Sequence, residues 1–356
     1  MENKPLISII MPVYNAEKYV QSAIQSVIEQ TFQSWELIII DDKSSDNSGE
    51  ICDKWGRNDK RVRVIHLSKN GGAGNARNTG IREAQGKYIT FLDSDDSINR
   101  ELYETVLRKS KGYDIDLFVW GVTEQYYDRK GRIIRENKLF LPTKLYLDEN
   151  EVHDKVIELE DKTLFGYQWN HLYKSEIVKK NSIYFEPVVL YEDYFFNLAY
   201  ISCVSSMCIV DNVGYYYAKR MNQSITNQYV QDYFPLSQRR VNEMLKIHEH
   251  WGNLSMKVTE SCGNRYLRYI CSAIMRNNDK RSEMSRKEKK EWIKRLYKEP
   301  LYMSVAKNCK PNGMLLVLLQ KLVNIKCTMG CLLLGKMLYI IKYRFPQFFS
   351  KKSIIK

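Results

Sequence analysis

The sequence predicts an α/β fold whose core is a mostly parallel sheet flanked by helices. Apolar runs rich in β-branched and aromatic residues, typical of buried strands, occur at 6–13, 35–40, 62–67 and 87–92. Helix-forming segments separate these runs, and strands that alternate with helices at this spacing form parallel sheets with right-handed crossovers. After about residue 231 the pattern becomes helical, so we expect a helical C-terminal region to follow the sheet.

The segments between the strands carry helix and turn signals. Asn15 is suited to cap a helix that runs to about residue 30, and turn-forming residues at 45–48 precede a short helix at 50–55. The glycine-rich stretch 69–80 contains neither GxGxxG nor GxxxxGKS/T, so it does not indicate a dinucleotide or P-loop site. It predicts a loop that opens a helix ending near residue 84.

The fourth apolar run ends in three carboxylates, Asp93, Asp95 and Asp96. Like charges this close together repel one another, and a divalent cation relieves that repulsion. Asp95, Asp96 or Ser97 is equally suited to cap a helix at 99–111 as part of an ordinary turn. The residues alone leave the metal site and the simple turn as open alternatives.

Other strand ends carry side chains suited to a nucleotide, and ligands of open α/β sheets bind beyond the carboxyl ends of the strands. Tyr14 offers an aromatic face to a base, and Asp42 can accept a hydrogen bond from the imide N–H of uracil. The alternatives are core packing for Tyr14 and a helix cap or turn for Asp42. Arg77 can reach phosphate, or it can be an ordinary surface or sheet-packing arginine.

Four motifs, in this order and at this spacing, resemble the family-two inverting glycosyltransferases with a GT-A fold. They are IIMPVYN at 9–15, IIIDDKS at 38–44, GNARN at 74–78 and FLDSDD at 91–96. The resemblance is strong over about 6–110 and continues more weakly to about 225. It implies a Rossmann-like, mostly parallel sheet and an enzyme of the bacterial surface-polysaccharide type that uses a nucleotide diphosphate sugar.

The resemblance also implies roles for the residues in these motifs. Asp93 would lie near the ribose and diphosphate, and Asp95, together with Asp93, would hold Mn2+ or Mg2+. Asp96 would either orient the metal ligands or cap the following helix. The other residues assigned to the nucleotide sugar are Pro12, Tyr14, Asp42, Arg77 and Arg220.

The motif LYEDYFFN at 190–197 resembles the Glu-Asp pair of the family, in which the Asp acts as general base. Asp193 would then take the proton of the acceptor hydroxyl, with Glu192 beside it. A carboxylate suits this task because the hydroxyl loses its proton only as the bond to the sugar forms. The alternative is that both acids simply favour the N-terminus of a helix.

Two further segments carry weaker signals. The run WNHLYK at 169–174 resembles a family segment that often has Lys where this chain has His171, so the role of His171 is open. Trp169 is either an acceptor platform or a packing residue. The segment 215–225 resembles a loop that closes over the donor, in which Arg220 contacts phosphate or lies at the surface.

Composition limits the partners and the compartment. Residues 300–356 contain ten Lys or Arg and no Asp or Glu, so the net charge of +13 leaves only +3, thirteen less ten, for the rest of the chain. Without a zinc-finger, RNP-like or other nucleic-acid motif, this charge does not indicate a nucleic-acid partner. The eight cysteines form no CxxC pair, and the apolar run 6–11 is too short for a signal peptide. We therefore expect the catalytic part to remain cytoplasmic.

The C-terminal segment 313–349 interleaves apolar runs with Lys and Arg, and no run approaches the ~18 apolar residues that suggest a membrane span. It predicts two amphipathic segments, broken near Gly330 or Gly335, that lie on an anionic membrane surface. A helix pair packed on the catalytic domain or in a homodimer is the alternative. The expected domains are 1–225 (a nucleotide-sugar half to about 110, then an acceptor half), a helical region at 226–305 and a basic tail at 306–356.

The resemblance, with these features, implies an inverting hexosyl- or N-acetylhexosaminyltransferase that uses a nucleotide diphosphate sugar, with a UDP-sugar favoured, and a glycan or lipid-linked acceptor. The QxxRW signature of processive relatives is absent, because Gln238-Arg239-Arg240 is followed by Val241, which implies transfer of one sugar per encounter. The alternatives are a non-catalytic regulator or scaffold that binds a nucleotide sugar, and a nucleic-acid-binding protein that uses the basic tail.

Overall fold

The computed structural model describes residues 4–128, 130–220 and 229–344. The chain divides into two compact units, Met1–Ser224 and Ile225–Lys356. The described strands all belong to the first unit, and the described part of the second unit is helical.

A mixed sheet forms the centre of the first unit. Its strands are β1 (Ile7–Val13), β2 (Trp35–Asp41), β3 (Val62–His66), β4 (Tyr88–Phe91), β5 (Ser97–Ile98), β6 (Leu117–Tyr127), β7 (Ile133–Leu139), β8 (Lys144–Tyr146), β9 (His171–Lys174) and β10 (Met207–Arg220). They lie in the order β3-β2-β1-β4-β9-β6-β10-β5, and β7 and β8 pair with β6 and β10. The predicted parallel pairing holds among β3, β2, β1 and β4 and recurs between β6 and β10. The other described pairs are antiparallel, so the sheet is mixed and not mostly parallel.

The parallel pairing of β1 with β2 and β4 brings the carboxyl ends of these three strands together. Every residue of β1 and β2 is buried, which explains why both read as continuous apolar runs. Val13 pairs with Asp41 across β1 and β2, and Ile10 pairs with Phe91 across β1 and β4. Residues that follow these strands therefore lie at one edge of the sheet, as the sequence predicted.

The helices of the first unit are α1 (Val20–Ile28), α2 (Ser48–Asn58), α3 (Gly72–Glu83), α4 (Leu102–Arg108), α5 (Glu149–Asp161), α6 (Ser175–Lys180) and α7 (Glu192–Ile201). The prediction that Asn15 caps the first helix is wrong, because α1 begins only at Val20. Asn15 instead has φ 49°, and its Oδ1 accepts a hydrogen bond from the Ser45 N–H at 2.8 Å. The side chain thus joins the turns after β1 and β2.

The second unit contains α8 (Tyr233–His250), α9 (Met256–Arg276), α10 (Arg286–Leu296), a short π-helix (Tyr302–Ala306), α11 (Met314–Asn324) and α12 (Thr328–Arg344). The sequence predicted two segments broken near Gly330 or Gly335; two helices do form, but the break lies at 325–327, before both glycines. The chain turns between α11 and α12, where Lys326 has φ 56°. Gly335 lies inside α12, where a Cβ would come within 2.5 Å of the Ile274 carbonyl oxygen, so it permits close packing on α9. None of the described helices combines the length and apolar character that a membrane span requires.

Candidate active site

The end of β2 is tied to the start of α3 through Asp42. This side chain is only 2% exposed, and its two carboxylate oxygens accept hydrogen bonds from the backbone N–H groups of Gly71 at 2.8 Å and Gly72 at 2.7 Å. Gly72 has φ 83°, a left-handed conformation that glycine adopts without strain. Each carboxylate oxygen keeps a second lone pair, so Asp42 can still accept a hydrogen bond from an N–H group of a nucleotide base.

The aromatic candidate beside this loop is accessible. Tyr14 follows β1 and is 53% exposed, so core packing does not explain it. Pro12 lies within β1, buried and paired with Ile40 of β2. Pro12 therefore belongs to the buried part of this edge of the sheet, whereas the exposed Tyr14 ring can stack on a planar group.

The carboxylates of the acidic turn after β4 differ in their hydrogen-bond partners. Asp96 is buried, and its carboxylate accepts hydrogen bonds from the Tyr215 hydroxyl and the Ala218 N–H of β10, both at 2.8 Å. Burial, with Asp95 and Asp93 nearby, raises the pKa of Asp96 well above its ordinary value. Because α4 begins only at Leu102 and has no side-chain cap, these residues do not serve the helix-capping role considered above.

Asp95 is the most open carboxylate of this turn, with a side chain that is 42% exposed. Partial burial of the Asp95 carboxyl and the negative charge of neighbouring Asp93 raise the pKa of Asp95, although Arg220 opposes that shift. Arg220 donates from Nη1 to the Asp95 carboxylate and to its backbone carbonyl, both at 3.0 Å. The Arg220 guanidinium also stacks over the Tyr19 ring, 3.9 Å from its centre, so it is not an ordinary surface arginine.

Arg77 of α3 joins the two halves of the site. Its side chain is 5% exposed, and it donates from Nη2 to Asp93 at 2.9 Å and from Nη1 to Asp193 at 3.1 Å. The Glu192 carboxylate lies 3.8 Å from Nη1. Despite burial, the three carboxylates raise the pKa of Arg77, so the guanidinium stays charged. It therefore links the end of β4 to the start of α7.

Glu192 and Asp193 occupy the first turn of α7, which matches both the helix-terminus interpretation and the catalytic one. Burial raises the pKa of Asp193 well above its ordinary value, with Arg77 opposing the shift and Glu192 adding to it. Tyr191, the residue before this helix, has φ 67°. A left-handed conformation is a genuine outlier for a bulky side chain, and such residues cluster at active sites.

Gln168 is a site residue that the sequence analysis missed. It is fully buried, and in the amide orientation that satisfies both neighbours its Nε2 donates to Asp193 at 2.9 Å while its Oε1 accepts from Arg77 Nη2 at 2.9 Å. Asn197 holds the same loop by donating to the Phe165 and Tyr167 carbonyls at 2.6 and 2.8 Å. The available signal was the position of Gln168 directly before the WNHLYK segment.

The two acceptor candidates lie inside the unit. Trp169 is 2% exposed and stacks between Tyr167 and Tyr215, with ring centres 4.8 and 4.3 Å away. His171 is 1% exposed, stacks on Tyr173, and burial lowers its pKa to about 3, so it is neutral near pH 7. This burial argues against direct sugar contact by either side chain and favours packing roles.

Residues 215–220, predicted as part of a loop that closes over the donor, form the end of β10. Gln223, Ser224 and Ile225, the end of the loop expected to close over the donor, lie outside the described residues. In the part of the chain that is described, no group of three or more His, Cys, Asp or Glu side chains is arranged to hold a metal ion.

Comparisons with known proteins show which family and which proteins this chain is similar to. Residues 8–180 match the model of the family described as glycosyl transferase family 2. A curated relative, the uncharacterized glycosyltransferase EpsJ of Bacillus subtilis (strain 168), is 28% identical over 268 residues, which are 75% of each chain. Residues 8–180 therefore resemble glycosyl transferase family 2, and the chain is a glycosyltransferase.

A second relative is the poly(ribitol-phosphate) beta-N-acetylglucosaminyltransferase TarS of Staphylococcus aureus (strain Mu50). It is 28% identical over 228 residues, 63% of this chain, but the match spans only 37% of TarS. The crystal structure of S. aureus TarS 1–349 in complex with UDP-GlcNAc has a TM-score of 0.64 and 22% identity, and covers 95% of this chain and 91% of that one. This likeness confirms the predicted GT-A fold.

Gln168→Leu tests the role of the buried amide. The substitution keeps the side-chain volume but leaves Asp193 without one of its two hydrogen-bond donors. A hydrogen bond to a charged group contributes about 1.5–3 kcal/mol, so we expect transfer to fall roughly ten- to hundredfold. Donor affinity should change less than turnover, because Gln168 reaches the donor side only through Arg77 and Asp93, whereas it bonds Asp193 directly.

The control for this experiment is Gln25→Leu, at an exposed position of α1. Steady-state kinetics and donor titration of both variants separate turnover from binding. Equal transfer by Gln168→Leu and Gln25→Leu would show that the amide does not act on Asp193.

Proposed function

We propose that this glycosyltransferase transfers one sugar from a nucleotide diphosphate sugar to a glycan or lipid-linked acceptor, with inversion at the anomeric carbon. The observation that supports this most directly is the position of Arg77 between Asp93 and Asp193. Asp93, on the donor side, and Asp193, on the acceptor side, thereby bind the same guanidinium group. A direct displacement needs both reactants held at one place.

Asp193 is the proposed general base. Its carboxylate is aimed by two donors, Arg77 and Gln168, and its side chain remains 20% exposed. Its raised pKa makes it a stronger proton acceptor than an ordinary aspartate once it is ionised. It would accept the proton of the acceptor hydroxyl as that oxygen attacks the sugar, and one displacement inverts the anomeric centre.

The proposed nucleotide subsite lies between Tyr14 and Asp42. The exposed Tyr14 ring suits a stacked base, and the remaining lone pairs of Asp42 suit the imide N–H of uracil. Arg220 supplies a positive charge beside the acidic turn for the diphosphate. UDP-GlcNAc is the first donor to test, since the similar fold of TarS has been solved with that ligand.

A divalent cation, Mn2+ or Mg2+, fits the carboxylates at the end of β4. Asp95 is the most exposed acid of the turn, with Asp93 beside it, and carboxylate oxygens are the ligands such ions prefer. One or two protein carboxylates suffice when phosphates of the substrate complete the shell. When bound, the cation would offset the charge of the diphosphate leaving group. Asp95, with Asp93, is the proposed ligand.

The acceptor, the number of sugars added and the place of action also belong to the proposal. The printed name of TarS, a poly(ribitol-phosphate) beta-N-acetylglucosaminyltransferase, supports a polymeric acceptor, and the absent QxxRW signature favours a single transfer. We place the reaction on the cytoplasmic side of the cell membrane. The domains proposed are the catalytic part to about residue 225, the helical region and the basic tail.

Asp193→Asn tests the base. The amide keeps the size and one acceptor atom but cannot take a proton, so transfer should fall by at least about a thousandfold while donor affinity is retained. Glu192→Gln is the matched control and should remain substantially active. The wrong carboxylate has been assigned if Glu192→Gln is inactive and Asp193→Asn transfers normally.

Asp95→Asn tests the metal site. A panel of nucleotide sugars with and without Mn2+ should stabilise the native protein against heat by mass action, and this variant should lose the metal-dependent part of that shift. Asp211→Asn, an exposed acid of β10, is the control. A full Mn2+-dependent shift and full transfer in Asp95→Asn would refute the assignment.

A further inference from the structure

The last two helices of the second unit each bury only one face. On α12 the buried residues are Cys331, Leu334, Gly335 and Leu338, which follow the helical repeat along one side. On α11 they are Leu316, Leu319 and Val323. Both helices pack on α9, so their opposite faces are directed away from that helix.

These opposite faces are apolar. The large apolar side chains range from 40% exposed at Ile340 to 90% exposed at Met314. An exposed helix face is normally polar, and apolar side chains grouped in this way mark an interaction surface. The members, here called the α11–α12 face, are Met314, Leu318, Ile325, Met329, Leu333, Met337 and Ile340.

The charges within this face have one sign. Lys321 of α11, Lys326 of the turn and Lys336 of α12 are exposed among the apolar side chains, and Arg344 follows at the end of α12. From residue 300 to the end of the chain there is no Asp or Glu. The surface therefore combines apolar side chains with unopposed positive charge from its own segment.

We propose that the α11–α12 face docks on an anionic lipid surface. Lysine and arginine would meet the head groups, while Met, Leu and Ile side chains enter the boundary with the acyl chains. The two helices have 11 and 17 residues, which suits helices that lie in the interface and not helices that cross it. This binding does not depend on the proposed chemistry of the first unit.

Charge complementarity favours a membrane over a second copy of the chain. A two-fold interface built on this face would be isologous, so each copy would present the same lysines to the other. With no carboxylate in this segment, cations would be buried facing cations, which is costly. Anionic head groups supply the missing negative charge.

Vesicle flotation of the full chain tests the proposal, using phosphatidylcholine vesicles with and without phosphatidylglycerol. We expect binding only to the anionic vesicles and a decrease as salt is added. Replacing Lys321, Lys326 and Lys336 together with Gln should weaken vesicle binding roughly hundredfold, because each lysine contributes about tenfold or less.

A second variant, Leu333→Gln with Met337→Gln, removes apolar side chains that are already exposed and should weaken binding at least about tenfold. Ile134→Gln with Val189→Gln changes equally exposed apolar side chains of the first unit and is the matched control. Circular dichroism and light scattering establish that each variant is folded and give its oligomeric state.

Vesicle binding that is equal for the wild type and both α11–α12 variants would overturn the proposal. So would a wild-type dimer that fails to bind vesicles and becomes monomeric in Leu333→Gln/Met337→Gln, since the face would then be an interface between copies.

Discussion

A single buried guanidinium holds the active site together. Arg77 has three carboxylates within 4 Å, two of them from the N-terminus of α7 and one from the turn after β4. Removing its charge would leave Asp93, Glu192 and Asp193 to repel one another in a largely buried setting, which costs several kcal/mol. The position of α7 relative to the sheet thus depends on this contact, as does the aim of Asp193.

The other acids of the site are each assigned to a separate task by their hydrogen-bond partners. Asp42 uses backbone N–H groups to anchor the glycine loop, and Asp96 ties the acidic turn to β10. Asp95 retains partial exposure beside Arg220. Of three carboxylates in a four-residue turn, the structure therefore leaves Asp95 as the one best able to meet a ligand.

The strands, their order along the chain and the acidic strand ends were predictable, because continuous burial leaves an apolar run that ends abruptly in polar residues. Asn15 and the tail glycines were misassigned for a common reason: local signals were overridden by tertiary contacts. Asn15 bonds across to Ser45, and Gly335 packs against α9. Gln168 was missed because one buried amide has no periodicity and its partners are distant in sequence, so its place before the WNHLYK segment was the one available signal.

The central claim is that Arg77 and Gln168 act as one unit on Asp193, and a double-mutant cycle measures this directly. Transfer rates would be compared for the wild type, Arg77→Lys, Gln168→Leu and the double variant, using the UDP-sugar selected by the thermal-shift panel. Side chains that act through one partner give non-additive effects. The account predicts a double variant nearly as active as the more impaired single variant. Losses that multiply independently would contradict it.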